Sequence, residues 1–102
     1  MKPLERESFL ALTRYENCMM PYVRSAKSGP PLNERQIADF GWHCPSELRE
    51  AAIKRERYFS SSQYEEESDS RFSGASRRAR VKMHEADLAG SFFCSFRLCY
   101  AA

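Results

Sequence analysis

Glycine is scarce in this chain: four in 102 residues, none clustered. That excludes a glycine-rich loop of the kind that cradles phosphates. Histidine is scarcer still, with His43 and His84 far apart, and neither a Cys-x-x-Cys nor a His-x-x-x-His spacing occurs. The usual zinc signatures are therefore missing, and the sequence predicts neither metal nor cofactor. No uncharged run approaches the roughly 18 residues that would suggest a membrane span. The opening Met1-Lys2-Pro3-Leu4-Glu5-Arg6-Glu7 alternates charge where a secretory signal would be apolar. These absences predict a soluble, cytoplasmic protein without a membrane partner. A formal charge of +2 excludes a histone-like polycation.

What remains suits one small domain, since 102 residues are too few for two independent cores. Apolar residues reach 42% and charged residues 29%, a globular rather than disordered balance. Cys18, Cys44, Cys94 and Cys99 are expected as reduced, mostly buried thiols in a reducing compartment. Cys94 and Cys99, five positions apart on an expected strand, would point to opposite faces and could not share one ion.

Three helices are expected in residues 1–59. The first spans 3 to 20, with Pro3 at its first turn and Pro21 as its stop. Leu4, Ala11, Leu12, Tyr15, Cys18 and Met19 form its apolar stripe. Asn33 and Gln36 have the spacing of a capping box and open a short second helix, which Gly41 should end in a left-handed conformation. Pro45 opens the third, with Leu48, Ala51, Ala52, Tyr58 and Phe59 on one side. Ser46, Arg49, Glu50, Ile53 and Arg57 share the other. Trp42, in the turn, is expected to plug the core between helices, with a protein hot spot as the alternative.

Residues 60–76 hold seven serines and four acids, the composition of a mobile loop. From 77 to 102 the period becomes two. Ala79, Val81 and Met83 alternate with Arg78, Arg80, Lys82 and His84. After Asp87-Leu88-Ala89-Gly90, Phe92, Cys94, Phe96, Leu98 and Tyr100 alternate with Phe93, Ser95, Arg97 and Cys99. That pattern predicts an antiparallel β-hairpin laid over the helices, hence an α+β fold.

Charge is segregated along the chain. Glu65, Glu66, Glu67 and Asp69 lie within five positions; Arg71, Arg77, Arg78, Arg80 and Lys82 lie within twelve. Twelve of the sixteen basic residues are arginine, whose planar fork suits phosphate and carboxylate. The basic strand reads either as a phosphate-facing surface or as an edge strand kept charged against aggregation. Glu47, Glu50 and Glu56 interrupt the bases of the third helix and would repel a phosphate backbone.

The stretch Leu32-Asn33-Glu34-Arg35-Gln36-Ile37-Ala38-Asp39-Phe40-Gly41-Trp42-His43-Cys44-Pro45-Ser46-Glu47-Leu48-Arg49-Glu50-Ala51 resembles a helix-turn-helix. With a hairpin after three helices, the order of elements resembles winged-helix proteins. The resemblance implies DNA or RNA as partner, a nucleic-acid-binding regulator, and a homodimer over two half-sites. It places Ser46, Arg49, Glu50, Ile53 and Arg57 toward bases and Arg78, Arg80 and Lys82 as wing contacts to phosphates, with Arg77 and Arg97 completing the expected nucleic-acid-binding set. A second reading also fits. Small, charge-segregated, cofactor-free chains resemble phage and mobile-element accessory proteins, such as anti-CRISPR inhibitors, that block a host protein complex. Tyr64, Glu65, Glu66, Glu67, Asp69 and Phe72 would then carry protein binding. An enzyme is disfavoured: Cys44 follows His43 directly, adjacent side chains rarely face each other, and no third orienting residue is evident.

Overall fold

A computed structural model describes residues 2–61 and 74–95, the last three by backbone alone. Four α-helices and one 3₁₀ turn make up these residues: α1 (Pro3–Ser28), α2 (Glu34–Asp39), a 3₁₀ turn (Phe40–Trp42), α3 (Pro45–Phe59) and α4 (Arg77–Ser95). No strand occurs among the described residues.

The expected α+β, winged-helix-like class with a C-terminal hairpin is thereby corrected: residues 77–95 form one helix, and the remainder of the expected hairpin unit, 96–102, lies outside the described residues. The physical reason lies in which side chains are buried. Alternation would put Met83 inside and His84 outside; instead His84 is 0% exposed and Met83 37%. Val81, His84, Leu88 and Phe92 are buried at steps of three and four, one stripe of an α-helix. Ten of the nineteen residues of α4 are Arg, Ala, Lys, Met, Glu or Leu, all good helix formers, and all ten precede Gly90. Leu88 and Ala89, expected in a turn, are buried within α4.

α1 also runs further than expected, through Pro21 to Ser28. Proline there removes one intrahelical hydrogen bond. Val23, 1% exposed, anchors the segment beyond it, and Tyr22 stacks on His43 at 4.3 Å. Ala11, Tyr15, Met19 and Val23 recur every four residues as the buried stripe of α1.

The second helix begins as expected. Asn33 Oδ1 accepts from Gln36 N–H at 2.8 Å, and Gln36 Oε1 accepts from Asn33 N–H at 2.9 Å. Its end differs. Gly41 lies in the 3₁₀ turn, and the positive φ found among glycines is at Gly74. Gly41 is required for space: a Cβ there would meet the Ala89 Cα at 2.5 Å. Tyr15 Oη donates to the Gly41 carbonyl at 2.6 Å, so α1, the turn and α4 meet at this residue. Trp42 is 42% exposed and does not plug the core.

α3 lies between α1 and α4 and packs on both; α4 also packs on the 3₁₀ turn. Leu48, Ala51 and Ala52 on α3 are buried as expected. The expectation of four reduced thiols is corrected at one pair: Cys18 of α1 is disulfide-bonded to Cys44, the residue preceding α3. The bond spans a separation of 26 residues, and restricting the unfolded chain over such a loop stabilises by about 3.5 kcal/mol on the chain-entropy estimate.

Candidate functional site

Bases expected on two surfaces converge on one. Arg49 of α3 and Arg77, Arg78 and Lys82 of α4 line a groove of about 440 Å³ floored by Ile53 and Val81. The i, i+4 step from Arg78 to Lys82 places them one helical turn apart on the same side. Ile53 follows Arg49 by the same step on α3. Ser76 Oγ accepts the Ala79 N–H at 3.2 Å and caps the start of α4.

The first turn of α4 carries no acid. Arginines there face the positive end of the helix dipole, where carboxylates are ordinarily favoured. Arg77, Arg78 and Lys82 form no ion pair among the described residues, and all three are exposed. Arg49 comes within 3.8 Å of Glu85 and remains largely solvated. The groove thus gathers four cations against one acid over an apolar floor, an arrangement that attracts anions.

Two bases expected on this surface are engaged elsewhere. Arg80 turns inward: its Nε donates to Glu56 Oε1 at 2.9 Å and its Nη1 to the Ala75 carbonyl. Glu56 also accepts from Ser60 Oγ, and His84 Nε2 lies 3.5 Å from Glu56 Oε1. Burial opposes ionisation of Glu56, but hydrogen bonds from Ser60 and Arg80, with the Arg80 charge, hold its pKa below the ordinary value. Burial, reinforced by Arg55, lowers the pKa of His84 despite Glu56 and Asp87. A charged Glu56 beside a neutral His84 follows at neutral pH. Glu56 is therefore spent inside the fold and does not repel an approaching phosphate, correcting the expectation for that residue.

Arg57 pairs with Glu7 at 3.9 Å, on the α1 side of α3, so it does not join the groove. Lys54 approaches the same Glu7 and Glu50. Ser46 is exposed in the first turn of α3. Arg97 and the protein-binding set Tyr64, Glu65, Glu66, Glu67, Asp69 and Phe72 lie outside the described residues.

A separate apolar cleft of about 230 Å³ opens between α1 and α3, where Phe9, Leu12, Tyr58, Phe59 and Leu88 contribute to the walls. The Arg55 guanidinium lies 4.9 Å over the Phe59 ring. Tyr58 Oη donates to Glu5 at the rim at 2.8 Å. No sequence pattern flags this cleft, because its walls come from three helices.

His43 and Cys44, the pair weighed for nucleophilic catalysis, part company: His43 stacks on Tyr22 and Cys44 is bonded to Cys18. Among the described residues no helix is long and apolar enough to cross a membrane. No known protein family, curated protein or solved structure matches the chain.

Proposed function

We propose that the chain is a small non-enzymatic binding protein that takes the phosphate backbone of a nucleic acid in the groove between α3 and α4. The observation that carries this reading is the convergence of Arg49, Arg77, Arg78 and Lys82 on that groove. Arginine forks suit phosphate oxygens, and the positive end of the α4 dipole adds to the attraction. Arg49, expected toward bases, joins the backbone contacts in this reading, and the first turns of α4 stand in the place of a wing. Such contacts position a backbone without reading base sequence.

The test is DNA and RNA binding by fluorescence anisotropy across a salt series. Four phosphate contacts predict a log–log slope of about −3.6 on duplex DNA and about −2.8 on single strands. Changing Arg77, Arg78 and Lys82 to Ala together should flatten that slope toward the single remaining contact. A slope unaltered by the triple change would refute the groove as the binding site.

A second reading, an inhibitor or adaptor that docks on a host protein complex, is favoured by a different surface. Phe9 and Leu10 are adjacent on α1, 56% and 45% exposed, and Phe9 borders the apolar cleft. Exposed aromatic side chains beside a cleft supply hot-spot contacts. Binding of that kind would show weak salt dependence and would be lost on Phe9→Ala with the groove intact.

A further inference from the structure

We propose that Cys18, Cys44 and Glu47 form a thiol-gated metal site, which is a disulfide when oxidised and takes one zinc-class divalent ion when reduced. The two sulfurs and a Glu47 carboxylate oxygen all lie within 4.8 Å of one another. Cys44 and Glu47 are three positions apart at the start of α3, one helical turn, and so present their side chains to the same side. Cys18 supplies the third ligand atom from α1. Two thiolates and one carboxylate are a donor set suited to zinc, with solvent water as the fourth ligand.

The dimensions agree. Zinc–sulfur bonds of about 2.3 Å at a tetrahedral angle require sulfurs about 3.8 Å apart. With Cα atoms 6.3 Å apart, rotation of the two cysteine side chains can supply that separation without moving either helix. Glu47 has no ion-pair partner among the described residues.

Access and chemistry favour opening from the α1 side. Cys18 is half-buried, whereas Cys44 is 2% exposed. A low-molecular-weight thiolate attacks Cys18 Sγ, forming a mixed disulfide and releasing the Cys44 thiolate. The amino end of α3 stabilises that leaving group. A second small thiolate then attacks the mixed disulfide at the small molecule's sulfur. Cys18 leaves as a thiolate, and the two small thiols depart joined as a disulfide. Two electrons pass from those thiols to the protein pair, and the divalent ion binds the two thiolates with Glu47. Any protons on the cysteines go to solvent.

The experiment uses the full chain carrying Cys94→Ser and Cys99→Ser, so that Cys18 and Cys44 are its only thiols. After reduction with a phosphine and its removal under nitrogen, Co²⁺ is titrated in, with circular dichroism recorded in parallel. The expected result is a near-ultraviolet thiolate-to-cobalt band saturating at one equivalent and bleached by Zn²⁺. Further replacement of Cys18 by Ser should abolish it, and Glu47→Gln should weaken Co²⁺ binding about tenfold or more. Should reduction cost helicity, restoration by Zn²⁺ would support the site, as metal binding would then be coupled to folding. The proposal is overturned by a reduced chain that gives no band, by a band that survives Cys18→Ser, or by lost helicity that Zn²⁺ fails to restore. An affinity unaffected by Glu47→Gln also overturns the three-ligand site.

Discussion

Gly41 and Ala89 touch backbone to backbone: the position a Gly41 Cβ would occupy lies 2.5 Å from the Ala89 Cα. The turn before α3 is thus in contact with α4, with only the Ala89 methyl beside the two backbones. Gly41→Ala should destabilise the fold by about 3 kcal/mol, because backbone rather than a flexible side chain must yield. Gly90→Ala, one residue beyond Ala89, should do the reverse. Its Cβ would point into open space on a helix, for a gain of about 0.5–1 kcal/mol. Urea midpoints for the two variants check both signs.

The bases of α4 should separate into two kinds. Arg80→Ala leaves the Glu56 carboxylate buried without its cation, at a cost of about 3 kcal/mol. Arg77→Ala, Arg78→Ala and Lys82→Ala should each change stability by no more than about 0.5 kcal/mol. Thermal melts give the first comparison. Anion affinity gives the second, with losses expected for the exposed three.

Acid should weaken the fold in two stages. His84 has its folded pKa below the ordinary 6.5, so the unfolded chain binds more protons as pH falls through that value, and stability declines. Glu56, held below its ordinary 4.5, adds a second loss as pH falls below that point. The charged groups around His84 are Arg55 and Glu56 from α3, and Arg80 and Asp87 from its own helix. Denaturant midpoints measured from pH 8 to pH 2.5 should decline from near 6.5 and again below 4.5. In His84→Leu the first stage should vanish while the second persists.

Reducing the Cys18–Cys44 bond should lower stability by about 3.5 kcal/mol if no metal is supplied. The fold should survive in part, since Tyr15, Leu48 and Phe92 bury their side chains without it. Urea unfolding with and without a phosphine, in chelator, measures the difference.

Local signals were legible in the chain, and non-local ones were not. The Asn33–Gln36 box, the stripe of α1 and the buried side of α3 depend on residues within four positions of each other, and all three are found. Pro21 is a local signal that long-range burial overrides, since Val23 holds the last turns of α1 in place. Residues 78–84 satisfy alternation and helical spacing equally over so short a run. Deciding between them required helix preference, or knowledge that His84 meets Glu56. The groove, the disulfide and the Arg80–Glu56 pair each join residues more than twenty positions apart, which no spacing rule reaches. Position 49 was legible as an exposed base on the outer wheel face of α3, and it lines the groove; position 80 has the same chemistry and the opposite placement.

The central position of α3 dictates an order of assembly. α1 has no large apolar surface to rest on until residues 45–59 exist, and α4 rests on those same residues and on the turn before them. During synthesis, the first helix must therefore wait, its stripe of Tyr15, Met19 and Val23 open to solvent, until its middle partner leaves the ribosome. The last helix then docks on a two-helix platform already formed. A stalled chain ending before residue 45 should be the form most prone to aggregate.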